Sequence, residues 1–471
     1  MIFKGTLIGL FVSVLLVFST QANAQKKNII LLFADDAGYH DFGFQGSKTF
    51  KTPNLDKLAA EGMIFKEAYT TAAVCGPSRA GLLTGMYQQR FGFEENNVPG
   101  YMSESSKLID DEMGLPTHLK TIADYLNPLG YKSIILGKWH MGNADRYHPL
   151  GRGFDEFYGF RDGARSFFAM NQKEAFENPN KKLERGFENY KEPDKYLTYA
   201  LADEACDFID RNKTKPFFMY VSFNAVHSPL QATQEDLAQI KGLTGNRKVL
   251  AAMTLALDKA CGQILEKLKA EGLEENTLIV FANDNGGPDV TNTCNYPLSG
   301  CKANNLEGGI RVPCIMKLPS VIKSGTTYNN PISMLDMLPT FLNVAGGDAS
   351  KIEGLDGVDL IPYVTGNNAK IPHDILFWKK ENRGIVRKGD WKLLRFPDRP
   401  AELYNIKNDI SENNDLAAKY PEKVREMFKD LFTWEGGLER PLWMLKRFYE
   451  VRAMKNMDEN RTPVLDVIEP N

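Results

Sequence analysis

Residues 28–36 read NIILLFADD, a short apolar run that ends in two adjacent aspartates, Asp35 and Asp36. A continuous apolar run of this length is typical of a strand that is buried on both faces of a parallel sheet. Such a strand would deliver both carboxylates to its C-terminal end. In open α/β sheets, ligands bind at that edge of the sheet. The stretch therefore predicts a buried strand that ends at a functional site.

Similar units recur along the chain. The sequence predicts further strands over residues 131–136, 216–223, 277–282 and 313–318, and helices over residues 53–61, 77–84, 117–126, 196–211, 248–270 and 334–344. Polar residues follow several of these strands, namely Lys138, His140, His227, Asp284 and Asn285. Strands that alternate with helices indicate an α/β fold with a large mixed, mostly parallel sheet flanked by helices.

The pattern changes at about residue 374. Short strands are predicted over residues 375–378, 383–387 and 391–395, and a helix over residues 421–432. This order indicates a smaller α+β subdomain with a short antiparallel sheet. Residues 171–194 are polar and charged, which predicts a long surface loop. We expect a signal peptide over residues 1–24, a catalytic domain over residues 25–373, and a C-terminal subdomain and tail over residues 374–471.

The first residues carry the features of an export signal. Lys4 precedes an apolar stretch over residues 7–18, and Ala22-Asn23-Ala24 forms an A-x-A cleavage site. The apolar stretch is too short to span a bilayer comfortably, although a signal anchor is the alternative. No other stretch is long and apolar enough to span a membrane. We expect a protein exported to the periplasm or the medium, without a membrane anchor after cleavage.

Composition excludes several classes of protein. The 471 residues include 57 Lys and Arg against 60 Asp and Glu, a net charge of −3, and 43% are apolar. This apolar content excludes a disordered chain, and the charge lacks the positive excess of nucleic-acid-binding modules. Six cysteines in this length exclude a disulfide-dense scaffold. Composition does not predict an oligomeric state.

Cys75 stands just before a predicted helix, in the string Cys75-Gly76-Pro77-Ser78-Arg79. The unsatisfied N–H groups of a helix start would lower the pKa of this thiol and favour an anion beside it. A structural cysteine is the alternative. The predicted metal ligands at the strand ends are Asp35, Asp36, Asp284 and Asn285. Three carboxylates and an amide suit Ca²⁺, with Mg²⁺ as the second choice, although each pair could equally be turn-forming.

The motif at Cys75, followed by Leu83-Thr84-Gly85, resembles the signature of the formylglycine-dependent sulfatases of the alkaline phosphatase superfamily. The segment over residues 130–140 resembles the second signature of that family. The match extends to Asp35-Asp36, His227, residues 284–287, Lys302 and residues 307–313. It covers roughly residues 28–400 in the expected order.

This resemblance implies a chemistry and a set of roles. A formylglycine-generating enzyme would convert Cys75 to Cα-formylglycine, whose hydrate would attack the sulphur of a sulfate ester. The resulting covalent sulfate would leave by elimination. The resemblance implies that the metal ligands are Asp35, Asp36, Cys75, Asp284 and Asn285. The metal and Arg79 would activate the nucleophile, and Lys138 and Lys302 would neutralise the charge of the sulfate oxygens. His140 would remove the proton of the second hydroxyl, and His227, with or without Lys302, would protonate the leaving group.

Substrate contacts are predicted after residues 153–160, which resemble a scaffold turn of the family. Arg161, Asp162 and Arg165 would contact an anionic saccharide, because arginine suits carboxylate and sulfate groups. A solvated loop with ordinary salt bridges is the alternative. The stretch after Glu435 could close over the cleft or serve as a docking tail.

Cys294 and Cys301 flank a six-residue loop before Lys302. In an exported protein they could form a disulfide that fixes this loop, and two free thiols are the alternative.

The sequence thus predicts an exported carbohydrate sulfatase that releases inorganic sulfate from a sulfated polysaccharide or its oligosaccharides. A phosphonate monoester or phosphodiester hydrolase of the same superfamily is the first alternative. A non-catalytic glycan-binding protein with unconverted Cys75 is the second.

Overall fold

The computed structural model describes residues 26–465, so the predicted signal peptide lies outside the described residues. The strands are β1 (Asn28–Ala34), β2 (Met63–Tyr69), β3 (Lys132–Lys138), β4 (Glu156–Phe160), β5 (Glu184–Arg185), β6 (Glu188–Asn189), β7 (Phe217–Ser222), β8 (Thr277–Asn283), β9 (Arg311–Lys317), β10 (Thr326–Tyr328), β11 (Ile332–Ser333), β12 (Ile375–Lys380), β13 (Arg383–Lys388), β14 (Trp391–Arg395) and β15 (Glu402–Asn405). The helices are α1 (Pro53–Glu61), α2 (Cys75–Thr84), α3 (Ile122–Leu126), α4 (Gln172–Glu177), α5 (Leu197–Asn212), α6 (Gln234–Gln239), α7 (Gly245–Ala270), α8 (Glu307–Ile310), α9 (Met337–Val344), α10 (Ile361–Val364), α11 (Pro421–Glu435) and α12 (Arg447–Glu459).

Eleven strands of the described chain form one sheet in the order β10-β2-β9-β8-β1-β7-β3-β4-β5-β6, with β11 also paired to β2. Its centre, from β8 through β1, β7 and β3 to β4, is parallel. Strand β9 runs antiparallel to both β2 and β8, and β5 runs antiparallel to β4. The predicted mixed, mostly parallel sheet is therefore confirmed.

Strand β1 is buried along its whole length because helices cover both faces of the sheet. Alternate side chains of β1 point into two different cores. Ile30 and Leu32 join a core that includes residues of α1, α5 and α7, whereas Leu31 and Phe33 join one that includes residues of α2, α3 and α9. The apolar run at residues 28–34 thus forms the centre of the molecule.

The C-terminal region forms the predicted second sheet, in which β12, β13, β14 and β15 are antiparallel neighbours. A buried charge cluster joins it to the large sheet. Lys392 Nζ of β14 lies 2.9 Å from Glu307 Oε1 and 2.9 Å from Glu412 Oε1. Tyr69 of β2 donates a 2.7 Å hydrogen bond to Glu307 Oε2. Glu307, in a segment that the sequence singled out, therefore holds the two sheets together.

The sequence missed several elements. Strands β2 and β4 were not predicted, and the region over residues 171–194 holds the helix α4 and the hairpin β5–β6 instead of an irregular loop. Helix α3 has only five residues, against ten predicted. The two-residue strands and short helices lack the periodicity that makes longer elements recognisable. Within residues 26–465, no helix combines the length and apolarity needed to cross a membrane.

Candidate active site

The ends of the central parallel strands place the predicted polar residues together. Asp35 and Asp36 follow β1, and Asp284 and Asn285 follow the adjacent strand β8, whose Asn283 pairs with Ala34. Lys138 is the last residue of β3, on the other side of β7. All five side chains are buried. The edge predicted from the sequence is therefore the place where these groups meet.

Cys75 is the first residue of α2, a helix whose ten residues are all buried. Its Sγ lies 3.4 Å from Asp35 Oδ1 and 3.9 Å from Asp36 Oδ1. Val74, at the N-cap, provides no side-chain cap, but Asn96 Oδ1 accepts a 2.8 Å hydrogen bond from Gly76 N–H. The predicted lowering of the thiol pKa is wrong. Burial, and then the carboxylate of Asp284, raise the pKa of Cys75 well above its usual range.

The geometry can hold a divalent cation. Ligand atoms of Asp35, Asp36, Cys75 and His227 all lie within 4.8 Å of one another. Asn285 Oδ1 is buried and has no hydrogen-bond partner within residues 26–465, while its Nδ2 donates a 2.7 Å bond to Asp36 Oδ1. Two carboxylates and an unsatisfied amide oxygen fit a hard cation such as Ca²⁺. His227 was not among the predicted ligands.

Asp284 also contacts Arg79 and the backbone at Asp36. Its Oδ2 accepts hydrogen bonds from Arg79 Nε at 3.1 Å and from Arg79 Nη2 at 2.8 Å. Its Oδ1 accepts a 3.3 Å bond from the backbone N–H of Asp36. Asp284 thus orients both Arg79 and the turn that carries Asp36.

Two lysines face the aspartates. Lys138 Nζ lies 2.6 Å from Asp35 Oδ2, and Lys302 Nζ lies 2.7 Å from Asp36 Oδ2. Burial, and then the charge of Asp284, raise the pKa of Asp35 to about 7. For Asp36, burial favours the neutral acid, but Lys302 and then His227 outweigh it and lower the pKa. Near pH 7, Asp36 is therefore ionised, whereas Asp35 is only partly ionised.

His140 lies in the same pocket with a left-handed backbone, at a φ of 58°. Both ring nitrogens are buried without a hydrogen-bond partner in the part of the chain described. Gly163 makes room for the ring, because a Cβ on that residue would lie 2.5 Å from His140 Nε2. Burial, and then Lys138, hold the pKa of His140 well below its usual range. The imidazole is therefore neutral near pH 7 and can accept a proton.

His227 follows β7 and faces the same carboxylates. Its Nδ1–H donates a 2.7 Å hydrogen bond to the Ser228 carbonyl, and its Nε2 lies 3.5 Å from Asp36 Oδ2. The side chain is 18% exposed, so one edge of the ring reaches solvent. Burial, and then Lys302, lower the pKa of His227 to about 4.

A cleft opens above these groups. Its first cavity, of about 510 Å³, is lined by Cys75, His140, His227, Asp162 and Lys181, among others. A second cavity of about 330 Å³ includes Lys302 in its lining. The residues lining both cavities are Glu95, Asn96, Tyr101 and Leu445. Sequence reasoning missed these four because none belongs to a recognisable motif, and only the fold brings them to the cleft.

Two of the three predicted sugar contacts, Arg161 and Arg165, form ion pairs and do not line either cavity. Arg161 Nε lies 3.0 Å from Glu184 Oε2, and its Nη1 lies 2.6 Å from Asp145 Oδ1. Arg165 is buried and forms an ion pair with Glu192. Buried guanidinium groups need carboxylate partners, and these partners hold both arginines outside the linings of the two cavities. Asp162 does line the first cavity.

The structure does not contain the predicted Cys294–Cys301 disulfide. Cys294 Sγ lies 3.5 Å from the Val464 carbonyl oxygen, whereas Cys301 Sγ lies 3.2 Å from Asn456 Oδ1. The two sulphurs thus contact different parts of the C-terminal segment. The loop before Lys302 is held instead by hydrogen bonds such as Gly300 N–H to the Asn460 carbonyl, at 2.8 Å.

The stretch after Glu435 packs beside the cleft. Trp443 is fully buried and donates a 2.8 Å hydrogen bond from Nε1 to the Glu95 carbonyl. Backbone N–H groups of Ser103 and Leu108 donate to the carbonyls of Met444 and Leu442. Leu445 and the helix α12 thereby form one wall of the cleft.

Comparisons with known proteins agree with this geometry. A family model described as "Sulfatase" matches residues 27–347, and one described as "N-sulphoglucosamine sulphohydrolase, C-terminal" matches residues 302–434. The N-acetylgalactosamine-6-sulfatase of Canis lupus familiaris is 32% identical over 385 residues, which cover 78% of this chain and 71% of that protein. The steryl-sulfatase of Homo sapiens is 30% identical and covers 89% of this chain and 92% of its own length.

Among solved structures, Ps i-CgsB in complex with k-i-k-neocarrahexaose is similar to this chain. It has a TM-score of 0.83 at 36% identity and covers 92% of this chain and 98% of its own. The phosphonate monoester hydrolase of Agrobacterium radiobacter shares the fold, with a TM-score of 0.63 at 20% identity, covering 87% of this chain and 95% of its own. The family match, the relatives and the buried Cys75 site together show that this chain belongs to the sulfatase family of sulfuric ester hydrolases.

Proposed function

We propose that this sulfatase removes O-sulfate from a sulfated carbohydrate, either a polysaccharide or an oligosaccharide derived from it, and that it acts through Cys75 converted to formylglycine. One observation carries the proposal. The side chain of residue 75 lies at the floor of an open cavity, 3.4 Å from Asp35, with His140 and His227 lining the same cavity. Hydrated formylglycine supplies one hydroxyl to attack sulphur and a second that permits release of the sulfate.

The roles of the surrounding residues follow from their charges. Lys138 and Lys302 neutralise sulfate oxygens, where negative charge must be held during transfer. Arg79, fixed by Asp284, stabilises the attacking hydroxyl as an oxyanion. His227 has one edge in solvent, and the negative charge of a bound sulfate ester raises its pKa, so that its Nε2 takes up a proton. That proton, with Lys302 beside the ring, goes to the leaving alcohol oxygen, which departs with the electron pair of the broken S–O bond. His140, held neutral, takes the proton of the second hydroxyl.

Asp35, Asp36, residue 75 and Asn285 would hold a divalent cation, for which Ca²⁺ is our first choice and Mg²⁺ the second. A cation held there lowers the pKa of a coordinated hydroxyl and offsets the charge of the carboxylates. Asp284, the remaining predicted ligand, would complete this set, and it also orients Arg79 and the backbone of Asp36.

The substrate class is supported by the relatives. The structure with 36% identity holds k-i-k-neocarrahexaose, and a curated relative is named for N-acetylgalactosamine 6-sulfate. We propose a sulfated saccharide of this general kind as substrate. We also propose export, division into a catalytic domain over residues 25–373 and a C-terminal subdomain, and maturation by a formylglycine-generating enzyme.

The test uses protein co-produced with a formylglycine-generating enzyme. Mass spectrometry of the peptide with residue 75 should show an aldehyde in place of the thiol, and the enzyme should hydrolyse an aryl sulfate. Cys75→Ala and Cys75→Ser should fold and lack turnover. Chelation should abolish the activity, and Ca²⁺ should restore it better than Mg²⁺. Active protein with only unmodified thiol would refute the assigned nucleophile.

The phosphonate or phosphodiester hydrolase alternative is tested in parallel. Two lysines at the site favour sulfate transfer, and the neighbour of that activity shares only the fold. Assays on matched aryl sulfate and phosphonate monoester substrates should give a higher kcat/KM for the sulfate. The reverse order would support the alternative.

A further inference from the structure

The active-site cleft extends beyond the reacting group in two directions. The cavity of about 510 Å³ contains Cys75, and the cavity of about 330 Å³ contains Lys302. Because Glu95 and Tyr101 line both, the two cavities meet along a shared wall. Pockets for whole drug-sized ligands have about 300–1,000 Å³, and the two cavities together reach the upper part of this range, which is more than a single sugar unit needs. The cleft therefore has room for the units on either side.

Each cavity contains one cation that makes no ion pair. Lys181 lines the first cavity only, and Arg452 lines the second only. Within residues 26–465, neither side chain has a hydrogen-bond or ion-pair partner. The other lysines of the cleft are engaged, Lys302 with Asp36 and Lys380 with Glu95. Because the proposed function assigns Lys302 to the reacting sulfate group, Lys181 and Arg452 are the cations left to bind an anion on a neighbouring unit of the ligand.

The acidic groups of the walls are already engaged. Glu95 pairs with Lys380, and Asp289 Oδ2 accepts a 2.7 Å hydrogen bond from Asn456 Nδ2. Asp162 accepts a hydrogen bond from the backbone N–H of Gly163. The donors to Asp162 and Asp289 are neutral, so both carboxylates keep their charge, and Lys181 and Arg452 are the unpaired groups in the two linings that attract an anion of the ligand.

Two aromatic rings line the cleft together with these cations. Tyr101 is 46% exposed and lines both cavities, and its ring centroid lies 4.7 Å from that of Tyr449 on α12. Such exposed rings present a flat apolar face next to a hydroxyl group, which suits a sugar ring. The pair is assembled from distant parts of the chain, because Lys446 N–H donates a 3.0 Å hydrogen bond to the Tyr101 carbonyl.

We propose that Lys181, Arg452 and the Tyr101–Tyr449 pair are specificity-determining residues that bind an anionic saccharide chain across its reacting unit. The lysine and the arginine each pair with a sulfate or carboxylate group on a neighbouring unit, and the tyrosines pack against a sugar ring. The inference rests on the proposed function and deepens it. The preferred substrate is then an oligosaccharide with several anionic groups, whose reacting unit lies inside the chain and not at its end.

The experiment compares two probes, an aryl sulfate that fills only the reacting position and k-i-k-neocarrahexaose as a competitive inhibitor of its hydrolysis. In Lys181→Ala and in Arg452→Ala, the ratio of the hexaose Ki to the aryl sulfate KM should rise about tenfold, the size expected for one charge-assisted hydrogen bond. Arg452→Lys should recover part of this affinity, and added salt should weaken binding to the parent more than to the variants.

Lys370→Ala is the matched control for charge, since Lys370 is exposed and lines neither cavity. Val451→Ala is the control for α12, with a side chain that is 68% exposed and outside the cleft lining. Both should keep the parent ratio. Two results would overturn this inference: a hexaose that does not inhibit the parent, or a ratio of hexaose Ki to aryl sulfate KM that is unchanged in both cation variants. In either case, turnover of the aryl sulfate would still support the proposed function. Failure to hydrolyse aryl sulfate with formylglycine present would instead overturn the proposed function.

Discussion

Gly163 packs directly against the ring of His140, and this contact decides where the imidazole stands. A Cβ at position 163 would lie 2.5 Å from Nε2 and 2.6 Å from Cε1 of His140. Both distances are too short for non-bonded atoms, so the ring would have to move. The position of His140, the proposed general base, thus depends on residue 163 being a glycine without a Cβ.

Gly163→Ala should therefore lower kcat on an aryl sulfate by about 10²-fold, the lower range for loss of a positioned acid or base. Gly151→Ala is the matched control, because a Cβ there meets no atom within 4 Å. Steady-state kinetics on both variants provide the measurement. Equal kcat values would show that His140 is not held by this contact.

At the scale of elements, the C-terminal arm is anchored by one large side chain. Trp443 packs against Phe93 with ring centroids 4.6 Å apart, and its Nε1 reaches the Glu95 carbonyl. Replacing a buried tryptophan removes both the packing and the hydrogen bond. The wall of the cleft therefore depends on a residue that does not itself line it.

We expect Trp443→Ala to lower the free energy of unfolding by about 3–5 kcal/mol, the usual cost of truncating a large buried aromatic residue. Trp443→Phe should cost less, because it keeps most of the packing. Urea titrations followed by circular dichroism measure both. A loss below about 1 kcal/mol in the alanine variant would indicate that the arm is not packed as described.

The start of α9 carries a titratable contact. His373 Nε2 lies 2.8 Å from Asp336 Oδ1, and the His373 side chain is 8% exposed. Burial disfavours the charged imidazole, but the Asp336 carboxylate and its hydrogen bond outweigh burial and raise the pKa of His373. The charged contact is thus stronger in the folded than in the unfolded chain.

This contact should stabilise the fold fully below about pH 6.5, the usual histidine pKa, and lose its effect as the pH rises through the raised pKa of His373. His373→Gln should therefore be less stable than the parent at about pH 6, with a smaller difference at about pH 9. Thermal unfolding at both values measures this difference. A difference that grows with pH would contradict the prediction.

The long buried strands and the longer helices could be predicted from the sequence because their patterns are local. The region over residues 171–194 could not, since α4 and the hairpin β5–β6 are short and gain their stability from tertiary contacts. The orientation of Arg161 also escaped prediction, because its partners Glu184 and Asp145 come together only in the fold. The same holds for the wall of the cleft that Leu445 and α12 form.

At the scale of the whole molecule, the cluster around Lys392 connects the two sheets. Its ammonium group faces Glu307 and Glu412, and all three side chains are fully buried. Burial keeps the pKa of Glu412 raised, at about 7, although Lys392 lowers it. The lysine therefore compensates two carboxylates that water cannot reach.

Lys392→Met should destabilise the protein by about 3–5 kcal/mol, the usual cost of removing one partner from a buried ion pair. Because the pKa of Glu412 rises further without the lysine, the loss should be larger at about pH 8 than at about pH 5. Tryptophan fluorescence during urea unfolding measures it. Adding Glu412→Gln should restore part of the stability, and a double variant no better than the single one would contradict this explanation.

The sequence by itself determined the buried strands, the carboxylates at their ends and the order of the sulfatase motifs, because these are local patterns of side-chain type. The tertiary structure alone decided which arginines are consumed by ion pairs, that burial raises the pKa of the Cys75 thiol, and that Lys181 and Arg452 share one cleft. Each of these outcomes depends on the partners and the solvent exposure of a group, and both arise from contacts between residues far apart in the chain.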